Sequence, residues 1–394
     1  MKTTFSGYFP RLLLLLLCLV CLSGCWDRTE INDLAIVTGA GFDLTEDRKI
    51  KLTIQLFVPG TASDTQSMGS GPSSQMKQSL VESAVGLNTS DAASKLQELL
   101  SRKFFWGQAD VFIFGEKLAR SGIQDPLDFL ARHPHPRERA NVYISKGAAD
   151  QVLNWQPQIE RNSAEVLREM SVLQTGLNVA LLDAIVEFSD EAHTALIPWI
   201  RLKKSGNKIS PYLAGAASFK DLKMNQVYDV QETRGLLWLR NEIKTATLTA
   251  HPEGGAGFTT LNIIDSRCQL TPIIQDGKWK VNVAIKTAGN LIQNTADIDV
   301  VNPAVIDQLE TQFASVLKER IQMAVKIAKK TNTDILGFSD QFHRHYPKEW
   351  NKHKKNWDQI FPAIEVNYKV KITILRSGLI GKNKMLNNAK GDQP

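Results

Sequence analysis

The sequence holds no apolar run long enough to cross a bilayer. Its longest, residues 12–22, has eleven apolar residues, where a spanning helix needs about 20. Cysteine is scarce as well. Of the four, Cys18, Cys21 and Cys25 crowd the start and Cys268 stands alone in the body, so stability has to come from burial and not from internal disulfides. Cys268, within Asp265-Ser266-Arg267-Cys268-Gln269-Leu270, reads as a small half-buried strand residue and not as a nucleophile. Motifs of common chemistries are missing too: there is no Gly-x-Ser-x-Gly elbow, phosphate loop or His-Glu-x-x-His helix. The Gly-rich stretch 253–257 lacks the spacing of a nucleotide loop and opens no helix, so a hairpin loop is expected there.

Histidines are few, seven in all, and they assemble no metal set. On a helix His343 and His345 would point about 200° apart. No cysteine or paired carboxylate completes a site with them or with His353. His133-Pro134-His135-Pro136-Arg137-Glu138-Arg139 reads as a rigid, solvated turn.

What is present begins at the N terminus. Lys2 and Arg11 flank the start of the apolar run, and Leu22-Ser23-Gly24 leads into Cys25, the order of an export signal closed by a lipobox. A cysteine is needed there because its thiolate forms a thioether with a diacylglyceryl group. Small neighbours leave the preceding bond open to a peptidase. Residues 1–24 are therefore expected to be a cleaved signal peptide, leaving 370 residues that are anchored at Cys25 and do not span. Two acyl chains, at roughly 0.8 kcal/mol per buried CH₂, hold a soluble body where one would not.

Loss of residues 1–24 removes two positive charges and lowers the formal net charge from +6 to +4. Such mild basicity suits a body near anionic head groups and does not indicate nucleic acid. With 22% charged and 43% hydrophobic residues, the rest reads as globular.

Residues 25–200 read as an N-terminal α/β domain. Strands at 34–42 and 50–58 form a hairpin near the anchor, and a Ser- and Gly-rich flexible loop fills 60–79. Strands at 79–85, 109–114 and 141–145 alternate with helices at 90–102 and 126–131, and helices at 163–172 and 177–188 follow. A boundary is placed within 190–210, where Pro198, Gly206 and Pro211 interrupt regular structure. Residues 201–394 form the second domain, with strands at 212–219, 226–228, 244–250, 258–266, 269–275 and 279–288 and a further division near 290–300.

The longest element is a helix over 303–330, with Asn302 as cap and Pro303 in its first turn. Ile306, Leu309, Phe313, Val316, Leu317, Ile321, Ala324 and Ile327 line one of its faces, which is expected to pack across the C-terminal sheet. Residues 342–357 read as a single helix with Trp350 and Trp357 in the core and Lys348, Lys352, Lys354 and Lys355 toward water. A strand at 364–375 and a frayed tail at 382–394 end the chain. The expected class is multidomain α+β: mixed sheets with packed helices, one of them long and C-terminal.

Several separated blocks carry a resemblance. Ser23-Gly24-Cys25-Trp26-Asp27-Arg28-Thr29-Glu30, Ile197-Pro198-Trp199-Ile200, Gly215-Ala216-Ala217-Ser218-Phe219 and Glu232-Thr233-Arg234-Gly235-Leu236-Leu237-Trp238 come first. Asp334-Ile335-Leu336-Gly337-Phe338, Phe342-His343-Arg344, Pro347-Lys348-Glu349-Trp350, Trp357 and Phe361-Pro362 close the series. In this order and spacing they resemble the Ger(x)C family of spore germination lipoproteins, the C subunits of nutrient germinant receptors.

The resemblance implies a non-catalytic subunit on the outer face of the spore's inner membrane, working with a multi-pass A subunit and a transporter-like B subunit. It implies no cofactor beyond the covalent diacylglycerol lipid on Cys25, no metal and no nucleic acid. Whether this subunit itself binds the nutrient stays open. Trp199, Trp238, Phe342 and Trp350 are the candidate contacts for a partner or ligand. The alternative is an extracytoplasmic solute-binding lipoprotein that captures a nutrient between its domains, with Trp199 and Trp238 against it.

Overall fold

In the computed structural model, residues 30–58, 79–133, 135–206, 208–253 and 256–377 are described. The signal at 1–24, Cys25, the 60–79 loop apart from Ser79, and the tail at 382–394 lie outside the described residues.

The first sheet starts with β1 (Leu34–Leu44) and β2 (Ile50–Phe57), an antiparallel pair in which Leu44 faces Ile50. The Thr45 hydroxyl closes their turn by accepting the Lys49 N–H at 2.9 Å. Strand β3 (Ser79–Gly86) lies along the other side of β2. Helix α1 (Thr89–Glu98) follows, its first turn capped by Asn88, which accepts the Asp91 N–H at 2.8 Å.

Strands β4 (Lys103–Phe105) and β5 (Val111–Gly115) both run parallel to β1, at Leu34–Ile36 and Gly39–Phe42 respectively. Every residue of β5 is buried, the mark of a strand covered on both faces. Phe112 and Phe114 enter one core and Val111 and Ile113 the other. Helices α2 (Glu116–Ser121) and α3 (Gln124–Arg132) lead to β6 (Asn141–Ser145), parallel to β5; α4 (Ala149–Leu153), α5 (Ser163–Val172) and α6 (Leu181–Ser189) come next.

The boundary expected within 190–210, drawn after residue 200, falls inside β7 (Thr194–Ser205). That strand pairs with β6 at Trp199 and Ile200 and turns through Gly206 into β8 (Lys208–Lys220), with β9 (Lys223–Tyr228) beyond. Pro198 does not break β7, because the ladder to β6 begins only at Trp199. The sheet order is β3-β2-β1-β5-β6-β7-β8-β9, with β4 beside β1. Strands read from sequence as the opening of the second domain therefore complete the first sheet.

Helix α7 (Val230–Leu239) then crosses to the second sheet. It has no strong periodicity, and its start is set by a reciprocal cap: Asp229 accepts the Glu232 N–H at 2.8 Å while Glu232 accepts the Asp229 N–H at 2.8 Å. Strand β10 (Thr247–Ala250) precedes a long hairpin of β11 (Thr259–Gln275) and β12 (Lys278–Asn294). Two strands were expected where β11 runs unbroken: Arg267 and Cys268, between them, pair in register with Lys286 and Ile285, and the bulge lies upstream between Ile263 and Asp265.

Helix α8 (Pro303–Lys330) has the expected bounds, and Asn302 caps it through the Ala304 N–H at 3.0 Å. It buries Leu309, Phe313, Leu317, Ile321 and Ala324, each contributing roughly 1.5–3 kcal/mol when fully buried, Ala324 less. It also lies close against α7. A Cβ on Gly235 would stand 2.7 Å from the Arg320 carbonyl, so only glycine lets the two backbones approach.

The single helix expected over 342–357 is divided into α9 (Phe338–His345), α10 (Pro347–His353) and, after a 3₁₀ turn, α11 (Trp357–Ala363). Pro347 starts a new helix because it has no N–H to continue the old one. Strand β13 (Glu365–Arg376) returns parallel to β12, giving the order β10-β11-β12-β13. Among the described residues, no helix is long and apolar enough to cross a membrane.

Candidate functional site

The two sheets meet around the segment that joins α8 to α9, residues 331–337. Helix α8 ends at Thr331, Asn332 takes a left-handed backbone (φ 51°), and the buried Thr333, Asp334, Ile335 and Leu336 follow. Gly337 (φ 72°) turns the chain into α9, a conformation that costs a side-chain-bearing residue energy. The Asp334 carboxylate then accepts the N–H groups of Phe338 at 3.0 Å and Ser339 at 2.7 Å, satisfying two donors of the helix start.

Side chains of the first sheet hold this segment from the other side. Thr194 donates its hydroxyl to the Asp334 carbonyl at 3.0 Å, and Lys220 donates to the Asn332 carbonyl at 3.1 Å. The Asn225 amide bonds the Thr333 hydroxyl. The segment is thereby fixed by β7, β8 and β9 while its own chain belongs to the second sheet.

An ion group reinforces the junction. Arg240, at the C-cap of α7, pairs with Glu187 of α6, donates to Glu242 at 2.9 Å and donates to the Ile335 carbonyl at 3.0 Å. Glu187 also accepts the Leu196 N–H of β7 at 2.9 Å. One guanidinium thus ties α6, α7 and the connecting segment. Burial pushes the Glu242 carboxyl above its ordinary value, with the Arg240 charge opposing.

Beside the junction lies an open cleft of about 760 Å³, with Ser189, Asp190, Glu191 and His193 on one wall and Asp340, His343 and Arg344 on the other. Glu191 reaches across to His343 and to Lys354, each at 3.6 Å. Burial, and then the Asp190 carboxylate, raise the Asp340 carboxyl. The cleft is polar and of mixed sign. One wall is the end of α6 with the loop into β7 and the other is α9; the Ser189 hydroxyl on the first wall donates to the Ile185 carbonyl at 2.8 Å.

The four aromatic residues singled out from sequence are elsewhere. Trp199 (5% exposed) packs in the first core, while Trp238, Phe342 and Trp350 are buried in the second. Phe342 lies 4.5 Å from Trp279 and Trp350 lies 4.9 Å from Trp357, ring centre to ring centre. Their expected role as contacts is corrected to packing, since their surface is already spent on the core. Trp199 and Trp238 join different cores and cannot clasp one solute between them. Cys25 lies outside the described residues.

Among the described residues no His, Cys, Asp and Glu side chains group as a metal site. Cys268 is half-buried in β11, and burial pushes its thiol up to about 12. Its N–H donates to Asn241 Oδ1 at 2.6 Å and its carbonyl accepts from Asn241 Nδ2 at 2.8 Å, so a side chain caps the strand edge there.

Sequence reasoning had the block containing Asp334 but not its task. The cue was local: an aspartate four positions before the first residues of a helix that lacks another cap. Glu187 and Arg240 had no such cue, being 53 positions apart. Asp334→Ala should strip two buried N–H groups of their acceptor, at about 1–3 kcal/mol each. Asp334→Asn should lose less, because its Oδ1 keeps one bond and burial already disfavours the charge by raising this carboxyl. Urea unfolding of both variants checks the order; equal losses would contradict it.

Comparison with known proteins matches this arrangement along nearly its whole length. The spore germination protein N-terminal domain matches residues 27–202 and the spore germination B3/GerAC-like C-terminal domain matches residues 214–378. The chain is similar to the putative spore germination protein YfkR of Bacillus subtilis, with 27% identity over 97% of this chain and 98% of that one. Spore germination protein KC of Bacillus subtilis is 26% identical over 93% and 95%, and spore germination protein B3 of the same organism 25% identical over 97% and 100%. The crystal structure of the GerBC protein shares the fold, with a TM-score of 0.57 at 21% identity, covering 86% of this chain and 97% of that one.

Proposed function

The chain belongs to the Ger(x)C family of spore germination proteins, and on that premise we propose that it is the lipid-anchored C subunit of a nutrient germinant receptor. In this reading Cys25 carries the diacylglycerol, and the body stands on the outer face of the spore's inner membrane. It acts without catalysis, by assembling with the membrane A and B subunits so that a nutrient is answered by germination.

The observation that carries the reading is the ordered match of two germination domains over nearly all of the chain. The junction supports it physically. A body whose sheets are held by one buried segment and one half-buried ion group is suited to dock as a unit on partners and brace them.

Crosslinking in dormant spore membranes followed by capture of this chain is the direct test. The A and B subunits encoded for the same receptor are expected in the captured material at comparable amounts. Capture of the chain without either of them would overturn the assembly proposed.

A further inference from the structure

The second sheet has one face covered and one bare. Its helices pack on the face formed by Leu270, Val281, Val283, Ile285 and Val370. Side chains alternate along a strand, so the intervening residues share the opposite face. On that face the register sets Arg267 of β11 opposite Lys286 of β12, and Lys286 opposite Lys371 of β13. Adjacent strands are about 4.8 Å apart, so three cations stand in one row of roughly 10 Å. Lys369 occupies the next row, beside Ala284, and Lys278 the end of the hairpin. Arg267, Lys286, Lys369 and Lys371 are all exposed.

Like charges directly opposite one another weaken a sheet. Elsewhere on the same face the chain pairs them off: Lys280 meets Glu365 across the strands at 2.9 Å. No carboxylate among the described residues makes an ion pair with Arg267, Lys286, Lys369 or Lys371; Asp265 is the remaining anion of this face, opposite Ala288. Folding alone gives no reason for such a row.

We propose that this bare face lies on an anionic lipid surface. Protein interfaces are enriched in aromatic residues and depleted in lysine. This face has the opposite character: its exposed positions on β11, β12 and β13 are mostly lysine, arginine, threonine, asparagine and glutamine, with no aromatic ring, and the exposed aliphatic residues Ile264, Ile292 and Leu375 sit at the register shifts toward one end of the sheet. Compact ammonium groups spread over a flat plane suit a diffuse layer of negative head groups, to which each contributes independently. An anchor near the N terminus and a basic plane in the C-terminal sheet would then hold the body at two places. The assignment presupposes the anchored state proposed above.

The experiment uses the full lipidated chain, reconstituted into vesicles of phosphatidylcholine alone or with phosphatidylglycerol added. Flotation with the neutral vesicles reads the anchor by itself. Amine acetylation followed by mass spectrometry reads the face, with Lys318 and Lys326, exposed on α8 across the sheet, as references. Relative to those, Lys286, Lys369 and Lys371 should react severalfold more slowly on phosphatidylglycerol vesicles. The difference should vanish on neutral vesicles, in salt near 1 M, where the screening length is about 3 Å, and for Lys369 in a variant carrying Lys286→Glu and Lys371→Glu. Equal reactivity on both vesicle types overturns the proposal while leaving the anchor intact. Protection that arises only when other spore membrane proteins are present also overturns it, and assigns the face to an acidic protein surface instead.

Discussion

Arg240→Ala is expected to cost about 1–3 kcal/mol of folding stability at neutral pH, less than the roughly 3–5 kcal/mol of a fully buried ion group, because Arg240, Glu187 and Glu242 are half-buried. The residue left behind is an uncompensated pair of carboxylates, Glu187 and Glu242, with the Ile335 carbonyl also losing its donor. Urea unfolding followed by circular dichroism measures the loss. Adding Glu187→Gln should recover part of it, because an amide oxygen still accepts the Leu196 N–H while one of the two facing charges is gone.

The pH dependence has a defined sign. Burial holds the Glu242 carboxyl above its ordinary value against the opposing charge of Arg240. An acid whose folded pKa exceeds its unfolded one costs stability above the folded value, and that cost disappears as pH falls below the unfolded value. In Arg240→Ala the opposing charge is missing, so the loss should be largest near neutrality and shrink on acidification toward the ordinary glutamate value of 4.5. A loss that does not change with pH would assign Arg240 a packing role alone.

Cys25→Ala should move the chain from the membrane to the soluble fraction of spore extracts and slow the germination response to nutrient. The body has no other span among its described residues. Two acyl chains are what separate stable from marginal membrane residence, so their removal should shift most of the protein. Basic residues on the bare sheet face would retain a minority at low salt, released as salt screens them. Full retention together with a normal germination response would remove the lipid from the mechanism. Release with a normal response would show that stable membrane residence of this body is not needed for the response.

Much of the molecule was legible locally. The hairpin of β1 and β2, the buried strand β5 and the long helix α8 follow from alternation, an unbroken apolar run and a helical stripe with an asparagine cap. The burial of Trp350 and Trp357 and the exposure of Lys348, Lys352, Lys354 and Lys355 were legible for the same reason. Helix α7 was not, because it is buried on nearly every side and shows no amphipathic period; its start is marked only by the Asp229 and Glu232 cap. Trp199, Trp238 and Phe342 were offered as contacts because an aromatic ring in a core and one on a binding face look alike in sequence.

The residues alone determined many of the helices and strands, where α8 begins, the candidate anchor at Cys25, and the membership implied by blocks in fixed order. Those properties depend on neighbours a few positions apart. Only the tertiary structure decided that β8 and β9 join the first sheet, that Asp334 is shared between the two halves, and that Glu187 meets Arg240. It also decided that Arg267, Lys286 and Lys371 form one row. These depend on register and on contacts between residues tens of positions apart, which are chosen when apolar faces bury against one another.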